Sequence, residues 1–162
     1  MENFEDYFAA RIVSGFLTRV YISFSPVVSK TEDFLKECGR CDSLPKLLER
    51  YTHSLLSEVS QTVACTRFHL IKDRLVCLLL MLHDRMKTDT FKMTQEILSK
   101  MLGVRREAVT LSARNLQQNK LINYSRGKIS ILNRAGLEAA ACGCYFIIRD
   151  EYENFPARFM TK

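Results

Sequence analysis

The sequence predicts a mainly α-helical protein carrying one small β-hairpin. Two observations set that class. Apolar residues recur at helical spacing through most of residues 31–152, and one short stretch, 121–132, alternates apolar and polar residues about a glycine. A third observation is electrostatic. Residues 92–130 hold eight Lys or Arg against two Glu, which is the whole net charge of +6, while the remainder of the chain is balanced. A hydrophobic content of 47% with 26% charged residues suits a packed core and excludes a disordered chain. The longest apolar run, Leu75–Leu82, has eight residues. A membrane span needs about 20, so no bilayer crossing is expected. The acidic start at Glu2, Glu5 and Asp6 is unlike a signal peptide, and a cytoplasmic location is expected. Six cysteines in such a compartment are expected as free thiols.

Residues 4–17 have some helical character. Val20, Ile22 and Phe24 alternate with polar partners as a short strand that Pro26 ends. A short helix begins at Thr31, with Glu32 and Asp33 favoured by the dipole, Phe34 and Leu35 as its apolar contacts, and Gly39 as its stop. Ser43 and Pro45 then open a long helix over 44–66. Leu44, Leu48, Tyr51, Leu55 and Val59 fall 4, 3, 4 and 4 residues apart, a narrow stripe suited to a second subunit. Leu47, Leu56 and Val63 lie off that stripe and are expected to pack on the chain's own domain. A third helix covers 68–86, and Asp84 to Asp89 reads as a polar loop.

Thr94 is a good N-cap and Glu96 suits the turn after it. A short helix runs to Met101, Gly103 breaks it, and a longer helix covers 105–119. Two helices joined by a tight glycine turn form a helix-turn-helix. Leu98, Leu102, Val104 and Val109 occupy the sites where such helices face each other, and Ser99 is small where they approach. Ser112 stands where an aliphatic residue is usual, with Leu111 and Leu116 as compensating neighbours. Ile122 and Tyr124, then Ile129 and Ile131, alternate about Arg126-Gly127 and form a hairpin, a wing whose tip carries Arg126 and Lys128. A final helix over 134–152 places Leu137, Ala141, Cys144 and Ile148 on one face to close the domain.

Residues 93–132, above all Leu102-Gly103-Val104-Arg105-Arg106-Glu107-Ala108-Val109-Thr110 and the wing Tyr124-Ser125-Arg126-Gly127, resemble the DNA-binding domain of the Crp/Fnr family of bacterial regulators. The resemblance implies a winged helix-turn-helix over 67–152, preceded by a dimerisation helix over 44–66 and a strand and helix remnant of a sensor domain over 1–43, with a tail over 153–162. It implies binding of double-stranded DNA by a homodimer, with RNA polymerase as a further partner. Base reading falls to Arg105, Arg106, Glu107, Thr110 and Leu111. The phosphate backbone falls to Lys92, Thr94, Gln95, Arg114, Arg126 and Lys128. The dimer interface falls to Leu44, Leu48, Tyr51, Leu55 and Val59. Arginine can grip guanine O6 and N7 with two hydrogen bonds, and a carboxylate accepts from cytosine N4. Leu111 departs from the family, which has a basic reader at that position; a leucine there either meets a thymine methyl or faces the core. Only 43 residues precede the long helix, and the phosphate cassette of the family's cyclic-nucleotide site is missing, so no cyclic nucleotide is expected.

Other classes read less well. Cys38-x-x-Cys41 has metal-ligand spacing, and Cys65 and His69 lie four apart, which keeps a zinc or redox protein as one alternative. Cys142-x-Cys144 follows Ala139–Ala141, where cysteine packs as a small hydrophobe. No metal or cofactor is therefore expected. His53, His69 and His83 lack a catalytic arrangement, and no enzyme is expected. A second alternative is a winged helix that binds an acidic protein.

Overall fold

A computed structural model describes residues 31–40 and 43–157; side chains at 31–34, 37, 43, 44, 47, 48 and 154–157 fall outside the description. The expected strand at 20–25, the helical reading of 4–17, Cys41 and the end of the tail also lie outside the described residues. The elements are α1 (Thr31–Arg40), α2 (Ser43–Phe68), α3 (Ile71–Met86), β1 (Thr90–Lys92), α4 (Gln95–Leu102), α5 (Arg106–Gln118), β2 (Ile122–Ser125), β3 (Lys128–Ile131), α6 (Arg134–Ala139) and α7 (Gly143–Ala157). This is the mainly helical class expected, with one antiparallel sheet.

The sheet has three strands rather than the two of a hairpin, in the order β1-β3-β2. β1 was not foreseen, because residues 90–92 are too short to show a period. β1 pairs with β3 from Thr90↔Ser130 to Lys92↔Lys128, and Thr90 donates a hydroxyl hydrogen bond of 2.9 Å to Ser130. The β2–β3 register runs from Ile122↔Ile131 to Ser125↔Lys128 and leaves Arg126 and Gly127 as a two-residue turn. Both have positive φ, 49° and 71°, the type I′ geometry whose twist suits a hairpin.

α3 is the central element. Its Leu75, Val76, Leu79 and Leu80 are fully buried and meet Leu98, Val109, Leu116, Ile122, Ile129, Leu137 and Tyr145 from the elements around it. Burying one such side chain stabilises the fold by about 1.5–3 kcal/mol. The polar rim of this core is paired. Asp84 takes the Arg134 guanidinium at 2.7 Å and the Tyr145 hydroxyl at 2.9 Å, and Arg134 also meets Glu138 and His83.

The last helical stretch is interrupted. Instead of one helix over 134–152, α6 stops at Ala139 and α7 starts at Gly143. Leu137, Cys144 and Ile148 are buried as expected, and so is Tyr145. α7 packs along α2. There Glu58 accepts from Arg85 at 2.5 Å and from the Tyr152 hydroxyl, and Arg85 stacks 5.6 Å above the Tyr152 ring.

This packing decides which side of α2 faces inward, and it corrects one reading. Leu56 and Val63, expected to pack on the chain's own domain, are 62% and 65% exposed. Of the expected interface stripe, Tyr51 and Leu55 are half-buried and Val59 is exposed. Leu44 and Leu48 stand in α2 at positions whose side chains are outside the described residues. Ser54, Glu58 and Cys65 carry the inward face instead. Leu35 of α1, expected as an apolar contact, is also exposed.

Candidate nucleic-acid interface

The turn between α4 and α5 is built by backbone chemistry. Thr94 caps α4 by accepting the Ile97 N–H at 3.2 Å. At the other end Gly103 takes φ +64°, a left-handed conformation that only glycine adopts freely. The Val104 N–H then reaches the Ser99 carbonyl at 3.0 Å and the Gly103 N–H reaches that of Lys100 at 3.3 Å. This pair of bonds is the Schellman stop. The Arg74 guanidinium of α3 also donates to the Leu102 carbonyl, so the turn is anchored to the core. α5 leaves the turn with Val109, Ser112, Ala113 and Leu116 buried. Ser112 is thus a core residue, as is Leu116, whereas Leu111 is 69% exposed and does not face the core.

The residues expected to read bases or bind phosphate cluster at the surface. Arg105, Arg106, Glu107, Leu111 and Arg114 are exposed along α5, and Thr110 is half-buried. Gln95 links the two helices, since its Oε1 accepts from Arg106 Nε at 3.3 Å and from the Thr110 hydroxyl at 2.9 Å. A shallow groove is lined by Thr94, Gln95, Arg106, Tyr124, Ser125, Arg126 and Gly127, which brings the start of α5 and the wing tip together. A second groove adjoins it, lined by Lys92, Thr94, Ile97, Arg126 and Lys128 among others. The Met93 N–H donates to the Gly127 carbonyl at 2.7 Å and fixes the wing tip beside the start of α4.

Sequence reasoning missed Tyr124 and Ser125 as parts of this surface, together with the β1 strand that carries Lys92. Tyr124 was seen as a strand residue; that it lines the groove depends on β2 lying beside Gln95 and Arg106. Burial pushes its phenol up, and the nearby Arg106 guanidinium opposes this.

Arg85, Arg134 and Arg149 are each in ion pairs. Among the described residues no carboxylate pairs with Lys92, Arg105, Arg106, Arg114, Arg126 or Lys128. Among the described residues Arg67, Lys72, Lys87 and Lys120 also form no ion pair, so this face is distinguished by how many such cations gather on it. Unpaired positive charge gathered on one ridge and one hairpin produces a field that attracts anions.

A glycine-turned helix pair with an adjoining three-stranded wing defines the class: a winged helix-turn-helix. Residues 73–140 match the family described as the Crp-like helix-turn-helix domain. A crystal structure from Eubacterium rectale, described as a transcriptional regulator of the Crp/Fnr family, is 31% identical with a TM-score of 0.50. That match covers 56% of this chain and 44% of the other, so the chain spans less than half of that regulator's length. The catabolite activator protein of Thermus thermophilus aligns at 23% identity and a TM-score of 0.42, over 70% of this chain and 53% of that one. No curated protein sequence matches the chain. Among the described residues no helix is long and apolar enough to cross a membrane.

Proposed function

We propose that the chain is a DNA-binding transcription regulator of Crp/Fnr type that places the start of α5 in the major groove. The observation that carries this reading is the set of unpaired cations shared by α5, β1 and the wing. Arg106 lies at the first turn of α5, where an extended guanidinium reaches a guanine edge, and Glu107 beside it suits a cytosine amino group. Arg105, Thr110 and the outward Leu111 complete the base-reading set, Leu111 through a thymine methyl. The Thr94 oxygen is used in capping, which leaves its proton to donate to a phosphate. Lys92, Gln95, Arg114, Arg126 and Lys128 hold the backbone and give affinity without sequence choice.

A second copy completes the regulator. The face of α2 turned from α7 presents Leu56, Val59 and Val63, spaced 3 and 4 apart, which suits a two-helix seam. Two α5 helices then meet half-sites about 34 Å apart. The protein acts in the cytoplasm by occupying or bending a promoter, with RNA polymerase as a partner and with no catalysis and no cyclic nucleotide.

A gel-shift titration on mixed DNA fragments tests this. Binding should weaken linearly in log salt, with a slope of about −0.9 per phosphate neutralised. Arg106→Ala should relax choice at one base pair by about 1–3 kcal/mol, whereas Lys128→Ala should weaken all fragments alike and flatten the salt slope by about 1. Retention of DNA by neither parent nor variant at low salt, with capture of acidic proteins instead, would replace this reading by that of a protein-binding winged helix.

A further inference from the structure

We propose that Cys65, His69, Cys142 and Cys144 form a zinc site that ties the end of α2 to the start of α7. One ligand atom from each lies within 4.8 Å of every other. The Cys65 and Cys142 sulfurs are 3.7 Å apart, and the Cys144 sulfur is 3.6 Å from His69 Nδ1. A tetrahedral zinc ion with bonds of about 2.3 Å to sulfur and about 2.0–2.1 Å to nitrogen has edges of roughly 3.8 Å and 3.6 Å. Two of the six edges of that tetrahedron, Cys65–Cys142 and Cys144–His69, have these lengths, and the other four are no longer than 4.8 Å. They stand too close together to enclose a cluster of several irons.

The local structure explains the convergence. The His69 N–H donates to the Cys65 carbonyl at 3.1 Å, so the helical path runs one residue beyond Phe68 and stacks the two side chains on one face. The Tyr145 N–H donates to the Cys142 carbonyl at 3.1 Å, which closes the first turn of α7 with a thiol on either side of Gly143. The break between α6 and α7 thus has a use: an unbroken helix would not place residues 142 and 144 toward the same point.

The chemistry is that of a closed structural site. Three sulfurs and one imidazole fill a tetrahedral shell and leave no open position for a substrate. Cys65 and Cys144 are each only 6% exposed. Burial and the neighbouring thiols push the Cys65 and Cys144 thiols up, since several thiolates in one apolar spot repel one another. A divalent cation removes that repulsion. On binding, three thiol protons leave to solvent, three metal–sulfur bonds form, and neutral His69 supplies the fourth bond. Cys77 is buried beside Cys142 with its sulfur 3.8 Å from that of Met81, whereas Cys38 is on α1 and serves as the internal control. The ion would fix the joint where the long helix meets the domain that carries α5.

The test uses the full chain, reduced and stripped of metal, titrated with Co²⁺ and then Zn²⁺. One equivalent of cobalt should give the intense visible and charge-transfer bands of a tetrahedral thiolate site, and one equivalent of zinc should abolish them. Cys142→Ser should lose the spectrum and Cys38→Ser should keep it. His69→Ala should keep a thiolate spectrum with affinity reduced by at least about tenfold, since even outer-shell losses cost about 10–100-fold. Zinc should raise the melting temperature of the parent but not of Cys142→Ser, whose metal-free form should match the metal-free parent in circular dichroism. Absence of tetrahedral cobalt binding by the parent, its survival in Cys142→Ser, unchanged affinity in His69→Ala, or its loss in Cys38→Ser would each overturn the proposal.

Discussion

Gly103→Ala isolates the turn on which the interface depends. An alanine Cβ built at this position meets nothing within 4 Å, so the substitution carries no steric clash with the rest of the protein. What remains is conformation. With φ at +64°, a residue bearing a Cβ loses roughly 1–2 kcal/mol. Alanine also restricts the unfolded chain, which offsets about 0.4–1 kcal/mol. The expected net loss is about 1 kcal/mol, or about 2–4 °C in melting temperature for a chain of this size. Gly103→Asn should lose less, because asparagine visits the left-handed region more readily. Urea denaturation with the slope held common to the three proteins reads these differences. If the alanine variant is as stable as the parent, Gly103 does not hold the left-handed stop between Ser99 and Val104, and the orientation of α5 needs another cause.

Leu116→Ala should cost about 2–5 kcal/mol, since Leu116 is fully buried, whereas Leu111→Ala should stay within about 0.5 kcal/mol; denaturant midpoints separate the two. Tyr145 concerns pH. Burial, then its hydrogen bond to Asp84, pushes its phenol up to about 12 from an ordinary 10.0. The folded state therefore holds this proton more tightly than the unfolded one, so its contribution is complete below about pH 10 and is lost as pH rises through about 12. Tyr145→Phe should be less stable at neutral pH yet show a flatter fall over that alkaline window, measured by denaturation at a series of pH values. Leu56→Lys with Val63→Lys should shift the protein from dimer to monomer in sedimentation without changing its melting at low concentration; a dimer that persists would move the interface elsewhere.

Much of the winged domain was legible in the sequence because its signals are local. Gly103 ends α4 by its own backbone freedom, Thr94 caps the other end of the same helix within three residues, and Arg126-Gly127 turns a hairpin between strands that touch it in sequence. The placement of Leu98, Val109 and Leu116 in the core follows from period alone. Tertiary packing decided the rest. β1 exists because Phe91 finds Ile129 across the sheet, a pairing that three residues cannot announce. Periodicity shows that α2 has more than one apolar side, but the Glu58–Arg85–Tyr152 contact selects the side that turns inward and leaves Leu56 and Val63 outside. Cys65 and Cys142 are 77 residues apart, and each beside its own neighbours reads as an ordinary buried thiol. A periodic pattern determines which residues are able to be buried together; only the meeting of distant elements determines which of them are.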